Sequence, residues 1–156
     1  MNSKHVSDSL TEQVQIIMPS HNNGSNRLFG GQLVEWIDIV ASVVARRHSG
    51  CNVTTAAIDN LQFKAGAFMN NTLVLIGRIT YVGKTSMEIR VDTYVEDLNG
   101  IRKVVNRAYV VMVALDDEDH PTSVPGLILE TESERAEWEA GTRRHSLRIA
   151  RRKEGY

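Results

Sequence analysis

The hydrophobic period of this chain changes once, at Gly50, and that change limits the folds open to it. Before Gly50, residues from about 31 to 48 carry their polar positions (Glu35, Asp38, Ser42 and Arg46) on one narrow stripe, with apolar residues around the rest. A helix of that kind is buried on most sides. After Gly50 the period becomes two. Residues 53–63 and 72–82 read as strands, 86–96 alternates Met87, Ile89, Val91 and Val95 against Glu88, Arg90, Asp92 and Glu96, and 101–115 ends in YVVMVAL. Gly83-Lys84 and Asn99-Gly100 supply hairpin turns, so the last three strands form an antiparallel meander. A sheet that is apolar on one face must cover it, and the preceding helix is the only large cover in the sequence. The expected fold is α+β, with a long antiparallel sheet wrapped around one central helix.

The rest of the chain fits one domain over residues 1–156. Its hydrophobic fraction of 42% over 156 residues suffices for a single sizeable core. Residues 1–10 read as a loose tail, 11–18 as a short strand and 19–27 (PSHNNGSNR) as a loop. Residues 130–153 read as a charged C-terminal helix. With 18 Lys and Arg against 19 Asp and Glu the formal charge is −1, which argues against nucleic acid or an anionic membrane as partner. No run approaches the roughly 20 apolar residues of a membrane helix, and MNSKHVSDSL lacks the apolar stretch of a signal peptide. One cysteine, Cys51, permits no intrachain disulfide. These features lead to the expectation of a cytoplasmic protein.

Gly30 and Gly31 open the central helix as a pair. Glycines just before or at a helix start admit another molecule close to the backbone, beside the unpaired N–H groups of the first turn. Asp38 lies about two turns further on. Backbone donors and a nearby carboxylate are the minimal parts for attack on a carbonyl. On spacing alone, however, Glu35 and Asp38 are simply part of a solvated stripe, Asn23-Gly24 is a tight turn, and Lys84-Thr85-Ser86 is a hairpin tip.

The order of several short motifs goes further. PSHNNGSNRLFGG (19–31), GGxxxxWID (30–38), ARRH (45–48), IDNLQFKAGA (58–67), VGKTSMEIRV (82–91), VMVALD (111–116) and VPGL (124–127) follow one another. Their combination resembles the hotdog-fold acyl-CoA thioesterases of the bacterial YciA and mammalian brain acyl-CoA hydrolase type, over residues 12 to 127. The resemblance implies hydrolysis of acyl-CoA to free acid and CoA, with Asp38 as general base or nucleophile and Asn23 cooperating from the facing subunit. It implies that the N–H groups at Gly30 and Gly31 polarise the thioester carbonyl, and that Gly83, Lys84, Thr85 and Ser86 lie along the CoA. Lys64 is added as a candidate contact to the CoA phosphates. Assembly is expected as a homodimer at least and a hexamer, a trimer of dimers, in this subgroup. No cofactor is expected, since coenzyme A belongs to substrate and product.

Three departures from the pattern stand out: His21 where an acid is common, Gly66 where Pro is common, and Asn70-Asn71 where a Gly-Asp turn is common. The competing readings are a non-catalytic acyl-CoA sensor that keeps the binding segment, a hotdog dehydratase using His21, and an RNA or protein partner held by the basic run 143–153. His48 and Cys51 also suggest a thiol with its base, although a lone Cys at a strand start is ordinarily a small buried hydrophobe. No His, Cys, Asp or Glu cluster has metal-ligand spacing, so no metal is expected.

Overall fold

The computed structural model describes residues 1–155. Strands β1 (Lys4–His5) and β2 (Thr11–Ile16) precede helix α1 (Gly30–Ser49). Strands β3 (Asn52–Asp59), β4 (Thr72–Val82), β5 (Ser86–Glu96), β6 (Arg102–Leu115) and β7 (Leu127–Ile128) follow, and helix α2 (Glu132–Glu154) closes the chain. Five strands form one antiparallel sheet in the order β2-β4-β5-β6-β3. β4, β5 and β6 form the meander expected from the two turns.

α1 ends where its sequence says it should. Arg46, Arg47 and His48 occupy the last turn, and Gly50 adopts the left-handed conformation (φ 69°) that lets its N–H close on the Arg46 carbonyl. Leu33, Ile37, Ala41, Val44 and Ala45 are fully buried against the inward residues Met87, Ile89, Val110 and Met112 of the sheet. Helix and sheet approach closely at Gly77, where an added Cβ would stand 2.7 Å from Val40 Cγ1 and 3.0 Å from Val44 Cγ2. Any side chain there would push the helix off the sheet.

The outward residues of the sheet have a different fate from solvation. α2 lies across them, and its contact is largely ionic. Glu88, 1% exposed, accepts from Arg144 at 2.8 and 3.0 Å, from Arg148 at 3.0 Å and from Thr80 at 2.7 Å. Asp92, equally buried, is held by Arg90 at 2.8 Å and Arg107 at 2.7 Å, and Arg90 also reaches Glu137 of α2. Arg144 stacks 3.7 Å over the Tyr109 ring, and Tyr81 packs on Trp138 and His145. Gly141 of α2 is buried against the sheet, where an added Cβ would stand 2.8 Å from Tyr81 Cβ.

The expected loose tail at residues 1–10 needs correction. β1 pairs in parallel with β7, and Val6 is buried in the core. Two long cations tie the segment to the end of α1: Lys4 Nζ donates to the Arg47 carbonyl, and Arg47 Nη1 donates to the Leu10 carbonyl, both at 3.0 Å. Short polar sequence gave no hint of these anchors, because they depend on where α1 ends.

Candidate active site

Asp38 is the half-buried member of α1's polar stripe that has a partner on the sheet. The Thr55 hydroxyl of β3 donates to Asp38 Oδ1 at 2.6 Å and touches Met112 Sδ at 3.5 Å. A β-bulge sits beside it, between Thr55 and Ala57, where the β3–β6 register shifts. Bulges re-aim side chains next to functional sites. Ser42 donates instead to the Asp38 main-chain oxygen, which makes it a helix-internal bond. Thr55 was missed in the sequence because a Thr in a strand is unremarkable without knowing what faces it. Glu35 is exposed and binds only Gln32, as the solvated-stripe reading requires.

The helix start is open. Phe29 precedes α1 in extended conformation with no side-chain cap, so the Gly30 and Gly31 N–H groups belong to the unpaired donors of a first turn. At Gly31 an added Cβ would lie 2.6 Å from the Phe29 ring, whereas Gly30 has ordinary space before Phe63. Asn23 lies in the loop before the helix and uses its Oδ1 to accept from Ser25 N–H (2.8 Å) and Arg27 N–H (3.3 Å). That turn is the ordinary role of an Asn, and it leaves the Asn23 side-chain amide for a ligand. Asn23, Gly30 and Lys64 line one cavity of about 400 Å³ together with Arg27 and Phe63.

Lys84, Thr85 and Ser86 line a second, larger cavity of about 640 Å³, walled on its far side by α2. Gly83 shapes the turn there by donating its N–H to the Ser86 carbonyl at 2.9 Å. The predicted site residues thus gather in three places: Asp38 with Thr55, Asn23 with Gly30 and Lys64, and the 83–86 turn with α2. Asp38 lines neither cavity.

Other candidates have structural roles. His21 Nδ1 accepts from Met18 N–H at 2.9 Å, and its ring meets buried Trp36 edge-on at 4.9 Å. His48 is fully buried with Nε2 2.8 Å from the Pro125 carbonyl, and Cys51 Sγ donates weakly to the Ser49 carbonyl, so no thiol–imidazole pair forms. Burial pushes the His48 imidazole below its ordinary pKa, against the opposing bond to Pro125. Among the described residues no group of three His, Cys, Asp or Glu side chains is placed to hold a metal, and no helix is long and apolar enough to cross a membrane.

A curled antiparallel sheet wrapped around one central helix is the architecture of the hotdog fold. The profile of the thioesterase superfamily matches residues 25–101. An uncharacterized acyl-CoA thioester hydrolase of Bacillus subtilis is 33% identical over 144 residues, covering 86% of this chain and 84% of that protein. The chain spans only 24% of the mouse acetyl-coenzyme A thioesterase it also matches. An acyl-CoA hydrolase of Staphylococcus aureus, solved with butyryl coenzyme A, coenzyme A and coenzyme A disulfide, superposes with a TM-score of 0.92 at 31% identity over 97% of this chain and 93% of its own. Alanine variants of that enzyme at one Asp, one Asn and one Thr have also been solved. An apo-hexameric acyl-CoA thioesterase superposes with a TM-score of 0.92 at 33% identity, covering 97% of both chains. The chain belongs to the hotdog-fold acyl-CoA thioesterase family.

Proposed function

We propose that this protein hydrolyses acyl-CoA thioesters to the free acid and CoA, with Asp38 acting at the thioester and the start of α1 as its oxyanion hole. The observation that carries this reading is the 2.6 Å bond from Thr55 to Asp38. It fixes a carboxylate at the accessible margin of a helix whose opposite face is buried in the core. Supporting it, an Asp, an Asn and a Thr are the residue kinds varied in the Staphylococcus aureus enzyme.

A thioester carbonyl is a good electrophile, so the apparatus can be small. In one route Asp38 takes a proton from water while the water oxygen adds to the carbonyl carbon. The oxyanion forms against the Gly30 and Gly31 N–H groups, then collapses and expels the CoA thiolate, which takes up the proton. In the other, Asp38 itself adds, the thiolate leaves, and water hydrolyses the mixed anhydride. In either route Thr55 holds the reacting carboxylate by donating to one of its oxygens, and one oxyanion donor contributes about 3–4 kcal/mol. No cofactor enters, because CoA arrives with the substrate.

Asn23 and Asp38 lie in separate places within one chain, so the reading includes assembly. A second copy brings its Asn23 and helix start to the Asp38 of the first, in a homodimer at least and a hexamer by analogy with the hexameric relative. Edge strand β3, which carries Thr55, and exposed Phe29, Ile39 and Phe63 are suited to that contact. The setting proposed is cytoplasmic, without membrane or nucleic acid.

Release of free thiol from acyl-CoAs between acetyl and palmitoyl, by wild type and Asp38→Asn, tests the reading. Robust turnover that the substitution reduces at least 100-fold supports it. Binding of acyl-CoA without thiol release by wild type replaces it with the sensor reading.

A further inference from the structure

The larger cavity lies on the outer face of the sheet, between β3, β6, the 83–86 turn and the last turns of α2. Its floor is apolar, built from Ala56, Ala57, Val111, Val113 and Ile149. Its rim is cationic: Lys84, Arg148, Arg151 and Arg152 face a single carboxylate, Asp59. Arg148 is neutralised by Asp59 at 3.2 Å and Glu88 at 3.0 Å, and Arg151 reaches Asp59 only at 3.8 Å. Lys84 and Arg152 form no ion pair among the described residues. Cations in a final helical turn ordinarily complement the helix dipole and stay solvated. Here a lysine from a separate element converges on the same cavity, in a chain whose formal charge is −1. A groove with an apolar floor and an unneutralised cationic end fits a ligand with a neutral arm and a polyanionic terminus.

The groove also backs onto the proposed chemistry. Ala56 and Ala57 follow Thr55 directly along edge strand β3, and Met112, which the Thr55 hydroxyl touches, lies between floor residues Val111 and Val113.

Resting on the thioesterase reading above, we infer that α2 supplies half of the phosphate site for the substrate's CoA portion, with Arg151 and Arg152 of α2 and Lys84 of the turn as its phosphate contacts. α2 is therefore part of the binding site as well as a cover for the sheet. Charge-assisted contacts to phosphate make loss of two guanidiniums cost about tenfold or more in apparent affinity.

The test compares kcat/KM for an acyl-CoA with that for the same acyl group on pantetheine, which lacks phosphate. The proteins are wild type, R151A/R152A, K84A and, as a control on the same helix outside the groove, R143A. The expected result is a fall of about tenfold or more in the CoA-to-pantetheine ratio for the double variant, carried by KM, and a smaller fall for K84A. R143A keeps the wild-type ratio. All substituted side chains are exposed, and thermal melting verifies folding. A double variant with the wild-type ratio overturns the inference. If wild type releases thiol from neither substrate, the hydrolase reading fails by itself. Calorimetry with free coenzyme A on the same proteins then decides the groove: about tenfold weaker binding by the double variant upholds it, and equal binding overturns it.

Discussion

Glu88→Gln isolates the ionic contact between α2 and the sheet. The carboxylate is 1% exposed and accepts four bonds from Arg144, Arg148 and Thr80 at 2.7 to 3.0 Å. Glutamine keeps the shape, the Thr80 bond and one acceptor oxygen. It removes the negative charge from between two guanidiniums whose side chains are 22% and 11% exposed. Breaking a fully buried pair costs about 3–5 kcal/mol; partial solvation of the arginines and the retained bonds bring the expectation to about 2–3 kcal/mol. For a chain of this length that lowers Tm by about 4–12 °C. The assay is thermal unfolding at pH 7 and fixed protein concentration, because assembly shifts Tm by mass action. The pH dependence is also determined. Burial raises the Glu88 pKa, but the Arg144 and Thr80 hydrogen bonds and the charges of Arg144 and Arg148 outweigh it, so the folded value lies below the ordinary 4.5. The stabilisation is therefore complete above about pH 4.5 and is lost as pH falls through the depressed folded value. The difference between wild type and Glu88→Gln should shrink in that acid range. A variant melting within about 1 °C of wild type at pH 7 would refute the claim that this contact holds α2 in place.

Other expectations follow from single contacts. Thr55→Val removes the donor to Asp38 at an exposed position, so kcat should fall about 10- to 100-fold while Tm moves by less than about 3 °C; steady-state kinetics beside a melting curve separates the two. His48 is held neutral in the fold, its pKa lowered first by burial, while the unfolded chain takes up a proton near pH 6.5. Stability from this group is thus complete above about pH 6.5 and declines as pH falls toward the lowered folded value. Unfolding curves at pH 7 and 5.5 should show that loss, and His48→Gln should flatten the dependence.

How far sequence reaches can be seen at individual positions. The strands at 72–82 and 86–96 match β4 and β5 because one face of each is uniformly apolar, and Gly83 and Gly100 mark their turns. α1 was readable for the same reason, to within one residue at either end. Alternation sets Glu88, Arg90 and Asp92 on the face opposite the apolar one, but it separates faces without saying what covers the polar one. The partners of Glu88, Arg144 and Arg148, are more than 50 residues away in sequence, on a helix with no apolar stripe. Thr55 was invisible for a related reason: its role depends on a bulge and on the Asp38 carboxylate opposite. Asn23 and Asp38 stood out only through their motifs, and one chain keeps them apart.

That separation makes a mixing experiment the most direct test. Asp38→Asn and Asn23→Ala are each expected to be inactive in thiol release. When equal amounts are unfolded and refolded together, random pairing gives hybrid dimers that rebuild one intact site, from the Asp38 of one copy and the Asn23 of the other. Pairing of residues from two copies predicts recovery of about a quarter of wild-type specific activity in the mixture. A mixture as inactive as its components would contradict it, because both residues would then have to act within one chain.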